Sequence, residues 1–145
     1  MSTPENYSIP EDINVVCVKA GSFPQGIGDA WQKLFSILPN AQQRKLYGIS
    51  YGNENGDIIY RAAAEELHGG EAEQLQLETF IIRNGEYISE VLNDWRKDET
   101  QIGKIFQELL SDPRIDRKKG YCLEIYFNGK DVRCAVLLDS SQNGA

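Results

Sequence analysis

At 145 residues, with 41% hydrophobic and 26% charged side chains, the chain has the make-up of one soluble globular domain or two tightly fused halves, and no apolar run reaches the length of a membrane span. A formal net charge of −7 argues against a surface that tracks phosphates, so neither nucleic acid nor a membrane is expected as a partner. Cys17, Cys122 and Cys134 are far apart in apolar runs without metal-ligand spacing, which points to buried reduced thiols, with no metal and no cofactor expected.

In chain order, Met1-Ser2-Thr3-Pro4-Glu5-Asn6 shows no basic region followed by an apolar segment. Residues 1–12 therefore read as an N-terminal extension of a cytoplasmic protein rather than a secretion signal. Ile13 to Lys19 is rich in Val and Ile and ends at Gly21, the pattern of a strand closed by a turn. Ile27, Ala30, Trp31, Leu34, Phe35 and Leu38 fall three and four residues apart, which predicts an amphipathic helix stopped by Pro39-Asn40. Lys45 to Tyr51 and Ile58 to Leu67 read as strands joined by the turn formers Asn53-Glu54-Asn55-Gly56-Asp57. After His68-Gly69-Gly70, Leu75 to Ile82 reads as extended, continuing or pairing with the preceding strand. Glu86 to Leu92 is strand-like, Thr100 to Ser111 is a second helix ended by Asp112-Pro113, and Tyr121 to Phe127 with Asp131 to Leu138 form a hairpin about Asn128-Gly129. Residues 139–145 are a polar tail expected to be disordered.

The order β-α-β-β thus occurs twice, and the helices match in detail. Ile27-Gly28-Asp29-Ala30-Trp31-Gln32-Lys33-Leu34-Phe35-Ser36 aligns with Ile102-Gly103-Lys104-Ile105-Phe106-Gln107-Glu108-Leu109-Leu110-Ser111 at an offset of 75 residues. Carried onward, that offset pairs Tyr51 with Tyr126 and Ile49 with Glu124. The expected architecture is α/β of the α+β kind: duplicated β-α-β-β halves, about 13–67 and 85–138, within one domain spanning 13–138. Pseudo-twofold symmetry, an antiparallel sheet with two long helices on one side, and a ligand groove between the halves complete the expectation.

Glu124 is the sharpest local anomaly, a carboxylate inside Tyr121-Cys122-Leu123-Glu124-Ile125-Tyr126-Phe127. Alternation places Leu123, Ile125 and Phe127 on one face, expected under the helices, and Glu124 with Tyr126 on the other. The 75-residue offset adds Tyr47, Ile49 and Tyr51 to that second face. A carboxylate among aromatic rings selects cationic or proton-donating ligands, since burial disfavours it without a partner and ring faces attract cations. The alternative is a solvated Glu124, or one paired with Arg133 across the hairpin. Tyr87 and Trp95 either roof the groove or belong to the core.

These residues carry a family resemblance. Ile27-Gly28-x-x-Trp31-x-x-Leu34, Tyr47-Gly48-Ile49, Asn84-Gly85-Glu86-Tyr87 and Leu123-Glu124-Ile125-Tyr126, in that order, resemble the GyrI-like small-molecule-binding domains. That family also supplies effector-binding domains of bacterial multidrug-responsive transcription activators. The resemblance implies a pseudo-twofold fold whose groove binds lipophilic, often cationic compounds, with a buried glutamate at the position of Glu124. Arg83-Asn84-Gly85 departs from the family's Pro-x-Gly, and no fused DNA-binding region is present in the chain.

The expected function is that of a stand-alone binder of hydrophobic cationic small molecules, with Glu124, Tyr126, Tyr51, Tyr47, Ile49, Tyr87 and Trp95 in the site. One alternative that the resemblance implies is a hydrolase of reactive cyclopropane-bearing or other electrophilic compounds, with Glu124 as the base or orienting residue and Tyr126 or Tyr51 as proton donor. Another is a protein partner engaged by the acidic surface, as in a gyrase inhibitor.

Overall fold

A computed structural model describes residues 3–118 and 120–139. The fold is α+β and divides into two compact units, Asp12–Ile82 on the one hand, and Met1–Glu11 with Arg83–Ala145 on the other. The described residues form strands β1 (Glu5–Ile9), β2 (Ile13–Lys19), β3 (Leu46–Gly52), β4 (Ile58–Glu65), β5 (Glu78–Ile82), β6 (Gly85–Leu92), β7 (Cys122–Phe127) and β8 (Asp131–Leu137), and helices α1 (Ile27–Ile37), α2 (Glu71–Leu75) and α3 (Thr100–Leu110).

In the unit Asp12–Ile82 the strands run β3-β4-β2-β5, each antiparallel to its neighbour. The β3–β4 turn is set by Asn53, whose Oδ1 accepts from the backbone amides of Asn55 and Asp57 at 2.9 and 3.0 Å. Ala30, Leu34 and Leu38 of α1 and its C-terminal end pack on Val16, Val18, Tyr60, Ala62 and Ala64. The small alanines of β4 let the helix approach the sheet closely. Arg44 and Glu71 are buried together, Nη1 to Oε1 and Nη2 to Oε2 both at 2.7 Å, and Arg44 also donates to the carbonyls of Pro39 and Glu65. That fork ties the start of β3 to the start of α2. Beyond α2, the chain returns as β5 along β2, with Val15 opposite Phe80. The expected pairing of this segment with the preceding strand is therefore corrected: the short helix α2, which periodicity did not show, turns the chain past β4 to the far side of β2.

In the other unit the order is β1-β6-β8-β7, again antiparallel throughout. Residues 1–12, read as an extension, contain β1, whose Tyr7 lies opposite Tyr87 of β6. Ile105, Phe106 and Leu109 of α3 pack on Ile88, Val132, Cys134 and Val136. Asn128 and Gly129 both adopt the left-handed conformation, φ 59° and 71°, as a tight β7–β8 connection demands. The expected disordered tail lies, from residue 140, outside the described residues.

The 75-residue offset holds for the helices: Ala30, Trp31 and Leu34 face the sheet in α1 as Ile105, Phe106 and Leu109 do in α3. It fails for the strands. Leu46 of β3 packs toward α1, so Gly48 and Ser50 share that face and Tyr47, Ile49 and Tyr51 point the other way. In β7, Cys122 and Tyr126 pack toward α3, and Glu124 between them shares their face. Equivalent strand faces thus need an even offset. One residue of difference in the helix-to-strand connection reverses every side chain.

Candidate functional site

Glu124, Cys134 and Glu90 form a row across three adjacent strands, because Glu124 is the register partner of Cys134 on β8 and Cys134 that of Glu90 on β6. Directly opposed residues share a face, and Cys134 belongs to the cluster beneath α3. Both carboxyls therefore lie on the helix side of the sheet. This corrects the expectation that Leu123, Ile125 and Phe127 pack under the helix. Leu123 is opposite Ala135 and Ile125 opposite Arg133, on the reverse face.

Glu124 is 9% exposed and Glu90 is 2% exposed. The hydroxyl of Tyr126 donates to Glu124 Oε1. Trp95 closes edge-on against Tyr126, ring centroids 5.4 Å apart, and the Arg96 guanidinium covers the Trp95 ring at 4.5 Å. The turn that carries Trp95 is fastened to the β7–β8 hairpin: its amide donates to Lys130 O at 3.0 Å, Asp94 N to Asp131 Oδ1 at 2.9 Å, and Arg96 Nη1 to Gly129 O at 3.0 Å. Two aromatic rings, two carboxyls and a thiol are thus assembled beneath and beside α3.

Electrostatics follow from burial. Desolvation pushes the Cys134 thiol well above its ordinary value, and the neighbouring Glu124 and Glu90 add to the effect. Cys134 is accordingly a thiol, not a thiolate nucleophile. Desolvation also raises the Glu90 carboxyl, with Glu108 of α3 acting in the same direction. Among the described residues Glu90 Oε2 is the buried side-chain oxygen with no hydrogen-bond partner.

The other site candidates fall elsewhere. Tyr87 is fully buried on the reverse face of β6, where its hydroxyl donates to Arg83 O at 2.7 Å and meets Tyr121 Oη at 2.7 Å. Arg133 also lies on that face, bonded to Glu5 and Ser89 and set over the Tyr7 ring, so it does not pair with Glu124. Tyr47, Ile49 and Tyr51 occupy the face of β3 opposite α1. There the Tyr51 hydroxyl accepts from Arg61 Nε at 3.2 Å and its ring stacks on Phe80.

The residue that sequence reasoning missed is Glu90. Its signature was present: Ile88-Ser89-Glu90-Val91-Leu92 sets a lone charge in an apolar strand, just as Leu123-Glu124-Ile125 does. Among the described residues no group of His, Cys, Asp or Glu is arranged to hold a metal ion, and no helix is long and apolar enough to cross a membrane.

Comparison with solved structures identifies the fold. A protein called SAV2435, whose structure was determined bound to tetraphenylphosphonium, matches with a TM-score of 0.72 over 97% of this chain and 96% of its own, at 10% identity. An integron cassette protein from the mobile metagenome of Vibrio cholerae matches with a TM-score of 0.64 over 94% of this chain and 95% of its own, at 15% identity. A hydrolase from Listeria innocua matches at 0.59 over 94% and 91%, at 12% identity. No protein-family model matches the chain, and no curated protein matches its sequence.

Proposed function

We propose that this chain is a GyrI-like binding module for hydrophobic, cationic small molecules, with Glu124, Tyr126 and Trp95 at the centre of its site. The observation that carries the reading is a carboxyl only 9% exposed, held by a tyrosine hydroxyl and walled by an edge-on aromatic pair. Such a carboxyl gains from a soft cation what it loses in hydration, and each well-placed ring adds about 0.5–2 kcal/mol. The likeness to a fold determined with tetraphenylphosphonium bound supports the ligand class.

Titration with tetraphenylphosphonium should quench the tryptophan fluorescence and raise the melting temperature. Glu124→Gln should weaken the cation about tenfold or more while leaving an uncharged tetraphenyl analogue nearly unchanged. Equal loss for the two ligands would overturn charge selection.

A second reading takes support from the Tyr126–Glu124 hydrogen bond and from the fold shared with a hydrolase: the pair orients water toward an electrophilic ligand. Formation of a water-added product from a cyclopropane-bearing electrophile, abolished in Glu124→Gln, is the result this reading requires.

A further inference from the structure

Glu90 has no part in the reading above, and its surroundings are unusual for a carboxyl. It is 2% exposed, its Oε2 has no hydrogen-bond partner, and it faces α3 beside Cys134. A structural role would normally satisfy both oxygens, since an unmet buried acceptor costs roughly 1–3 kcal/mol. A proton on the carboxyl lowers that cost but leaves a donor and an acceptor unused.

Among the described residues, the titratable groups facing Glu90 from the sheet and from α3 are acidic or neutral. Glu108 approaches from α3 and raises its proton affinity. Cys134 lies beside it on β8 and Glu124 beyond it on β7, both on the same face. Adjacent strands are about 4.8 Å apart, so the backbones carrying Glu90 and Glu124 are separated by roughly 10 Å. Apolar and aromatic side chains, Phe106 and Ile105 above and Tyr126 and Trp95 at the Glu124 end, belong to the same cluster.

We propose that Glu90 is a second anionic anchor of the same ligand site, so that the preferred ligand is a flat aromatic dication whose two N–H-bearing positive groups reach Glu124 and Glu90 together. This rests on the reading of Glu124 as the first anchor. One cationic end pairs with the Glu124 carboxyl beside the Tyr126 hydroxyl. The other supplies the donors that Glu90 Oε2 lacks, and any proton held by the carboxyl leaves to solvent as the ion pair forms. An amidinium suits that end, since its two parallel N–H groups match a carboxylate's two oxygens.

The test compares a rigid aromatic diamidine with tetraphenylphosphonium, which has a single charge and no donor. The wild-type protein should bind the diamidine more tightly. Glu90→Gln should weaken the diamidine at least about tenfold and tetraphenylphosphonium less than about threefold, whereas Glu124→Gln should weaken both. Calorimetry of the unaltered protein in two buffers of different ionisation enthalpy gives a readout that does not depend on any variant folding: because burial raises the Glu90 carboxyl, the diamidine should release more protons than tetraphenylphosphonium. If tetraphenylphosphonium binds but the diamidine is no tighter, releases no extra proton, or is indifferent to Glu90→Gln, the second anchor is wrong and the first stands. If neither compound binds the wild-type protein, both are wrong.

Discussion

Replacing Arg44 with methionine would leave the Glu71 carboxylate, 3% exposed, without the two 2.7 Å bonds that now hold it. Stranding one member of a buried pair costs about 3–5 kcal/mol, more than the pair itself contributes. Arg44→Met should therefore shift urea denaturation strongly, and Arg44→Met combined with Glu71→Leu should recover much of the loss. The same contact sets a pH dependence. Arg44's hydrogen bonds hold the Glu71 carboxyl below its usual range, aided by the Leu67 amide. A depressed carboxyl pKa means the folded state binds fewer protons than the unfolded one, so this stabilisation is complete above the ordinary carboxylate value and is lost as pH falls through the lower folded value. The acid limb of the stability curve should flatten in the double variant. None of this was legible from sequence, where Arg44 and Glu71 sit in loops far apart. The oddity of Glu124, an isolated charge in an apolar strand, was legible, but the sheet face it occupies was not.

At the scale of elements, periodicity located both long helices and every described strand except β1, since 3.6- and 2-residue patterns are properties of neighbouring residues alone. It also identified the equivalent positions Leu34 and Leu109, 0% and 2% exposed. Leu34→Ala and Leu109→Ala should each cost about 2–5 kcal/mol by chemical denaturation; a loss below 1 kcal/mol at either position would contradict its place in the helix–sheet core. The repeat was misleading where it crossed a connection. A helix tolerates a one-residue slip with a rotation of its face, but a strand turns inside out, so the offset that aligned Leu34 with Leu109 sent Ile49 to the wrong counterpart of Glu124. Helix α2 escaped for a different reason. Five residues, Glu71–Leu75, are too few to display a period, and its position is fixed by the Arg44–Glu71 fork rather than by its own propensity.

For the whole molecule, the shared fold with solved structures extends over nearly the entire chain, 97% of it in one case, at identities where sequence comparison is silent. Residue identity, 10% in that case, does not carry that likeness. β1 illustrates the point: Glu-Asn-Tyr-Ser-Ile is too polar to read as a strand, yet it covers the outer edge of β6 with a full ladder. Removing residues 1–11 should expose that edge, lower the melting temperature and promote self-association detectable by size-exclusion chromatography, because an unpaired strand edge invites pairing with another chain.

That same strand makes one unit discontinuous in the chain, with the whole of Asp12–Ile82 inserted between β1 and β6. The order of assembly is thereby constrained. In the inserted unit β3 and β4 form a hairpin and β2 joins them by pairing with β4 and then with β5, Ile13 opposite Ile82, whereas the β1–β6 ladder cannot form until that whole stretch has emerged from the ribosome. Folding the insert first draws the ends of that stretch together and reduces the loop-closure entropy that the ladder must overcome. The amino-terminal strand, first to be synthesised, is thus among the last to find its place, and a chain interrupted before β6 is made leaves it exposed.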